Sequence, residues 1–202
     1  MRIGVLASGA GTNLQALIDQ VHGRDGIEIV AVASDKADAR ALARAREAAV
    51  PVAVFPAGEF DARPERDAAM ADWLGERGVE LVVLAGYMQL LSSQFLERFR
   101  GRVINVHPAL LPAFPGLHAV EQALAYGVKV FGVTVHFVDD GIDTGPVIEQ
   151  RAVEIPDAGS VDQVMARLRP IEHELLPGAV RLIAAGAVHL DPENPRRVRV
   201  AR

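Results

Sequence analysis

Short apolar runs rich in β-branched residues alternate with Ala-rich amphipathic stretches through the first half of the chain, and this rhythm constrains the fold more than any other feature. Ile3 to Ala7 reads as a strand, Asn13 to Val21 as a helix, Ile27 to Ala33 as a strand and Ala37 to Ala49 as a helix. Val52 to Phe55 is a short strand, and Asp61 to Arg77 a helix with Pro64 in its first turn, where the missing N–H is tolerated. Val79 to Gly86 is nearly all apolar, as a strand covered on both faces should be. A short helix from Ser92 to Phe99 precedes a strand that ends at His107. The pattern predicts an α/β fold with a Rossmann-like, mostly parallel twisted sheet and helices on both faces.

After residue 117 the rhythm changes. His118 to Tyr126 reads as a helix, and Val130 to Val138 and Val147 to Ile155 as an antiparallel strand pair in the C-terminal part. Ser160 to Ala184 is a long amphipathic helix in which Pro170 and Pro177 predict bends or breaks. The Arg-rich tail, 191–202, reads as a loose end or a late edge strand. The expectation is one domain over 1–190, made of a 1–100 half and a 101–190 half.

Bulk properties exclude several classes. A net charge of −5 over 202 residues gives no electrostatic footprint for nucleic acid or an anionic membrane. Without cysteine there is no disulfide, thiolate nucleophile or cysteine-ligated zinc. The apolar start is too short for a signal peptide, so the expected location is cytoplasmic.

Three segments carry candidate chemistry. The first is Ser8-Gly9-Ala10-Gly11-Thr12-Asn13, between the first strand and the first helix. Its glycines allow a tight turn and close backbone approach, and a helix N-terminus favours an anion. An ordinary turn with Thr12 or Asn13 as helix cap uses the same residues. No Gly-Lys-Ser/Thr follows, so this is not a Walker loop, and Leu14 replaces the third glycine of a dinucleotide fingerprint. Asp35, where a ribose-binding acid would lie, reads instead as a cap of the next helix. The loop suits one phosphate better than a pyrophosphate.

The second segment is Asn105-Val106-His107-Pro108-Ala109-Leu110-Leu111-Pro112-Ala113-Phe114-Pro115-Gly116. Asn105 and His107 share one face of a strand tip, and the prolines stiffen the loop after it. The third runs from Gly132 to Ile148, with Thr134 and His136 on one strand face before a turn carrying Asp139, Asp140 and Asp143. Taken singly, each has a plain structural reading: local hydrogen bonding for the Asn and His, turn formation for the aspartates.

Together the three segments, SGAGTN, N-x-H-P-x-x-L-P-x-x-x-G and G-x-T-V-H-F-V-x-x-x-x-D-x-G-P-V-I, resemble the folate-dependent formyltransferases over nearly the whole chain. The resemblance implies formyl transfer from 10-formyltetrahydrofolate to the amine of glycinamide ribonucleotide in de novo purine biosynthesis, without a metal. It implies a nucleotide phosphate-binding half over 1–100 and a folate-binding, catalytic half over 101–190. Asn105, His107 and Asp143 become the catalytic trio. Gly11, Thr12 and Asn13 hold the substrate phosphate with Arg169, and Glu172 meets the ribose hydroxyls. Met88, Gln89, Leu90 and Leu91, with Val138, Asp139, Asp140, Gly141 and Asp143, line the folate pocket beside Asn105. Thr134 would order water, with His118 and His136 behind the trio. The implied partners are small molecules, with the chain a monomer or weak homodimer.

Two positions depart from that pattern. Ala109 stands where Ser commonly follows His-Pro, and Gln89 where an Arg is frequent. Arg63 is the candidate to replace the missing cation. Formyl transfer to another amine, a non-catalytic folate or nucleotide binder, and an NAD-dependent oxidoreductase are the competing readings; Leu14 disfavours the last.

Overall fold

The computed structural model describes residues 1–201. Strand and helix alternate as β1 (Arg2–Leu6), α1 (Thr12–Gln20), β2 (Glu28–Ser34), α2 (Arg40–Glu47), β3 (Val52–Val54), α3 (Arg63–Glu76), β4 (Leu81–Leu84), α4 (Ser93–Arg98) and β5 (Val103–His107). They continue as α5 (Ala119–Tyr126), β6 (Val130–Phe137), β7 (Val147–Glu154), α6 (Val161–Ala184), β8 (Val188–Leu190) and β9 (Val198–Val200). A seven-stranded, mostly parallel sheet has the order β3-β2-β1-β4-β5-β6-β7, and β8-β9 form a separate two-stranded sheet. The chain divides into two compact units, 1–104 and 105 onward.

In the first unit β1 pairs parallel with β2 on one side and β4 on the other. The connection therefore reverses direction between β1 and β4, and the crevice beyond their carboxyl ends is where α/β sheets hold ligands. β1, β2 and β4 supply Ile3, Val5, Leu6, Ala31, Val32 and Val83 to the core, all fully buried. Their β-branched side chains suit a pleated surface packed on both faces. α3 lays Met70, Ala71 and Leu74 inward, and Pro64 does sit in its first turn.

In the second unit β6 and β7 pair antiparallel, as the turn-rich segment between them predicts. β6 is buried along almost its whole length, whereas β7, past its buried Ile148, alternates half-buried and exposed residues. α6 runs unbroken through Pro170 and Pro177, so the expected breaks do not occur. Pro170 is exposed, and so is Ala166 one turn earlier, whose carbonyl has no proline N–H to accept. Pro177 is instead on the buried face of the helix. The tail takes the edge-strand alternative: β9 pairs with β8 from Val188↔Val200 to Leu190↔Val198. Asp191 ties the hairpin together by accepting from Arg199 Nε and Nη2 at 3.0 and 2.8 Å.

Candidate active site

In the second unit the end of β5, the loop after it and the turn after β6 converge on Asp143. Asn105 and His107 point the same way, as their spacing on a strand requires. Asn105 Nδ2 lies 3.3 Å from Asp143 Oδ1 and 3.2 Å from His136 Nε2. His107 Nδ1 lies 3.4 Å from Asp143 Oδ2, and the Gly116 N–H donates to that oxygen at 2.7 Å. His107 Nε2 donates to the Phe114 carbonyl at 2.9 Å, which fixes the ring and turns Nδ1 to the carboxylate. His136 Nδ1 likewise donates to the Phe137 carbonyl at 2.7 Å. Its neutral ring thus accepts from Asn105 at Nε2, and only its charged ring donates there to Asp143, 3.5 Å away.

Burial by itself would raise the Asp143 carboxyl. The His136 hydrogen bond, the Gly116 N–H and the charges of His107 and His136 outweigh it and hold the group at about 2. Asp143 also takes a left-handed backbone, φ 52°, which Asp tolerates better than most residues. The turn around it is closely built. A Cβ on Gly145 would sit 1.8 Å from the Phe137 carbonyl oxygen, so only glycine fits there. Asp139 Oδ1 accepts from Thr144 Oγ1 at 2.6 Å and from the Gly141 N–H at 3.1 Å. Arg196, from the tail hairpin, donates to the Thr144 carbonyl at 2.7 Å.

The loop after β5 is fastened by Thr134. Its hydroxyl donates to the Ala109 carbonyl at 2.7 Å and accepts from the Leu111 N–H at 3.2 Å and Gln150 Nε2 at 2.8 Å. With its one donor and both acceptor positions used, Thr134 has no capacity left to order water, contrary to the expectation. Gly132 admits the same loop: a Cβ there would meet Leu110 Cδ2 at 2.4 Å and the Arg151 carbonyl at 2.5 Å.

In the first unit the loop after β1 meets the segment after β4. The Ser8 N–H donates to the Gly86 carbonyl at 3.0 Å, and the Met88 N–H to Ser8 Oγ at 2.9 Å. Gly11, at φ 69°, is the residue before α1, and neither Thr12 nor Asn13 caps that helix through its side chain. A Cβ on Gly11 would lie 2.7 Å from Ala41 Cα, so glycine lets α2 pack against the loop. Gly9 has nothing within 4 Å of such a Cβ. Its glycine is not demanded by packing, and it leaves the backbone open to close approach.

Residues 1–180 match the family described as Formyl transferase. The chain belongs to the formyl transferase family. It is 41% identical over 190 residues to a phosphoribosylglycinamide formyltransferase of Haemophilus influenzae, covering 94% of this chain and 90% of that one. It is 42% identical over 195 residues to a trifunctional purine biosynthetic protein adenosine-3 of Drosophila melanogaster, covering 95% of this chain but only 14% of that longer protein. Among solved structures, glycinamide ribonucleotide transformylase 1 from Symbiobacterium toebii superposes with a TM-score of 0.95 at 46% identity, covering all of this chain and 94% of that one.

Within this formyl transferase fold the other expected residues fall unevenly. Met88 and Leu90 are exposed on the segment after β4, with Gln89 and Leu91 half-buried. Val138 and Asp139 are half-buried, while Asp140 and Gly141 are exposed in the turn that carries Asp143. Asp139 uses one carboxylate oxygen inside the turn, in line with the turn-forming reading of these aspartates. Glu172 is buried on α6 and Arg169 exposed on it. His118 is not part of the Asp143 cluster: its side chain is 75% exposed, and it bonds Glu121 one turn along at the start of α5. Arg63 is exposed, and the cation that reaches Gln89 is Arg66, 3.4 Å from its Oε1. Asp35 does not cap α2; its Oδ2 accepts from Gln89 Nε2 at 3.1 Å. Sequence reasoning missed Arg66 and Asp67, which sit among Met70, Ala71 and Leu74 on the buried face of α3. Two adjacent opposite charges on an otherwise apolar helix face were the available sign.

Proposed function

We propose that the chain transfers the formyl group of 10-formyltetrahydrofolate to the primary amine of glycinamide ribonucleotide, as a step of de novo purine biosynthesis. The observation that carries this reading is the convergence of Asn105, His107 and His136 on Asp143. The amine nitrogen attacks the formyl carbon, whose oxygen becomes an oxyanion. Asn105 and His107 each supply an N–H to it. In this structure those hydrogens are engaged by Asp143, His136 and the Phe114 carbonyl. An oxyanion competes well with the Phe114 carbonyl and the His136 ring for them, because a charged acceptor binds a donor about twice as strongly as a neutral one does. One preorganised donor of this kind is worth roughly 3 kcal/mol in acyl transfer.

The amine then loses a proton, N10 of the folate gains one, and the bond from the formyl carbon to N10 breaks. A carboxylate held at about 2 keeps a proton only in transit. Asp143 therefore passes the amine proton onward through water toward N10 and stabilises a charged His107. The loop at Gly9 to Asn13 binds the substrate phosphate, aided by Arg169, and Glu172 takes the ribose hydroxyls. Met88 to Leu91 and Val138 to Asp143 receive the folate. The stretch 1–190 acts as one formyltransferase domain on small molecules in the cytoplasm, as a monomer or weak homodimer.

Mixing the protein with glycinamide ribonucleotide and 10-formyldideazafolate should give the absorbance change of the deformylated folate. Absence of turnover at micromolar protein refutes the assignment, and turnover with a different amine alone would reassign the acceptor.

A further inference from the structure

We propose that Arg66 is a positioning residue that sets Met88 to Ser92 as a preformed apolar platform for the flat ring system of the folate. The proposal rests on the folate reading of that segment given above. Arg66 is 2% exposed and Asp67 fully buried. Arg66 Nε and Nη2 both donate to Asp67 Oδ1, at 2.9 and 2.7 Å. The rest of the guanidinium is turned on the segment after β4: Nη1 donates to Gln89 Oε1 at 3.4 Å and Nη2 to the Leu90 carbonyl at 3.3 Å. Asp67 in turn accepts the Ser92 N–H through Oδ2 at 2.6 Å. The Met88 N–H is held by Ser8, and the Gln89 amide by Asp35. Residues 88, 89, 90 and 92 are thus each fixed from beneath.

What this fixing presents is a pair of large apolar side chains two residues apart. With Gln89 tied inward, the side chains of its two neighbours stand at the surface. Met88 is 55% and Leu90 56% exposed. Two large apolar side chains are held in water on a backbone with little freedom to fold them away. Such an arrangement makes sense as a prepaid ligand surface, since ordering the segment in advance removes that entropy from binding. A buried ion pair is weak evidence of stability, because well-packed apolar residues often do as well. The planar fork bonding two consecutive residues of one segment is what a simpler core contact would not provide.

The test compares wild type, Arg66→Lys and the double variant Arg66→Met/Asp67→Asn. The double variant removes both charges together and keeps an acceptor for the Ser92 N–H, so no buried charge is left unpaired. Its KM for 10-formyldideazafolate should rise about tenfold, equivalent to about 1.4 kcal/mol. Its kcat and its KM for glycinamide ribonucleotide should stay within about twofold of wild type, the mark of lost uniform binding of one substrate. Amide exchange across 87–92 should quicken, and Arg66→Lys should fall between the two. An unchanged folate KM, or equal damage to kcat and both KM values, overturns the proposal. If the double variant does not fold, Gln89→Leu, which cuts one of the two Arg66 bonds to the segment while leaving the ion pair, should quicken amide exchange across 87–92, and no change overturns the proposal. A wild type that fails to turn over refutes the functional reading alone. The exchange comparison needs no substrate and still decides whether Arg66 holds the segment.

Discussion

Replacing Asp143 with Asn tests the electrostatics and the chemistry of the cluster at once. Asn adopts the left-handed backbone at φ 52° as readily as Asp, and its Oδ1 can still accept the Gly116 N–H. The substitution therefore removes the charge and, with an amide nitrogen in place of the second oxygen, the acceptor for Asn105 Nδ2. The wild-type carboxyl is lowered from 3.8 to about 2. That gap of about 1.8, at about 1.36 kcal/mol for each pKa unit, gives ~2.4 kcal/mol. Asp143 is partly open to solvent, so screening reduces this to about 1–2 kcal/mol. A depressed acid stabilises the fold above its unfolded value and loses that contribution as pH falls through its folded value. The variant should thus be less stable than wild type by that amount at pH 7, and the difference should shrink between about pH 4 and pH 2. Urea titrations at several pH values measure it. Turnover should fall by ~10²–10⁴-fold, the range of one acid–base group. A stability gap that does not change with pH would refute the electrostatic account, and near-wild-type kcat would remove Asp143 from the mechanism.

Two further substitutions separate packing from binding. Gly9→Ala should leave the melting temperature within the noise, because its Cβ meets nothing, yet raise KM for glycinamide ribonucleotide; Gly11→Ala should cost about 1–3 kcal/mol from its left-handed backbone and its contact with Ala41. Calorimetry with a substrate titration checks both, and equal effects at the two positions would contradict the assignment of the loop. Thr134→Val leaves the Leu111 N–H and the Ala109 carbonyl without the hydroxyl that pairs them, while Gln150 keeps its bond to the Leu111 carbonyl. It should cost about 2–4 kcal/mol in denaturant unfolding, and a neutral result would mean that the loop after β5 is fastened elsewhere.

The sequence by itself determined the element order and the parallel sheet, because hydrophobic period and β-branching are local properties. It also placed Asn105 beside His107, since a strand fixes which residues share a face. The antiparallel β6–β7 pair followed from the turn chemistry between them. Motif spacing was enough for the family, but not for the partners of each side chain. Only tertiary structure decided that Thr134 is saturated by the loop it fastens, that His118 stands in solvent, and that a buried Arg66 reaches Gln89. It also decided that α6 continues through two prolines and that the tail closes into a hairpin. Each depends on which surfaces meet across long stretches of chain. A hydroxyl, an imidazole or a guanidinium reads the same in sequence whether it faces water, a backbone carbonyl or a buried carboxylate, and its role is set by that choice.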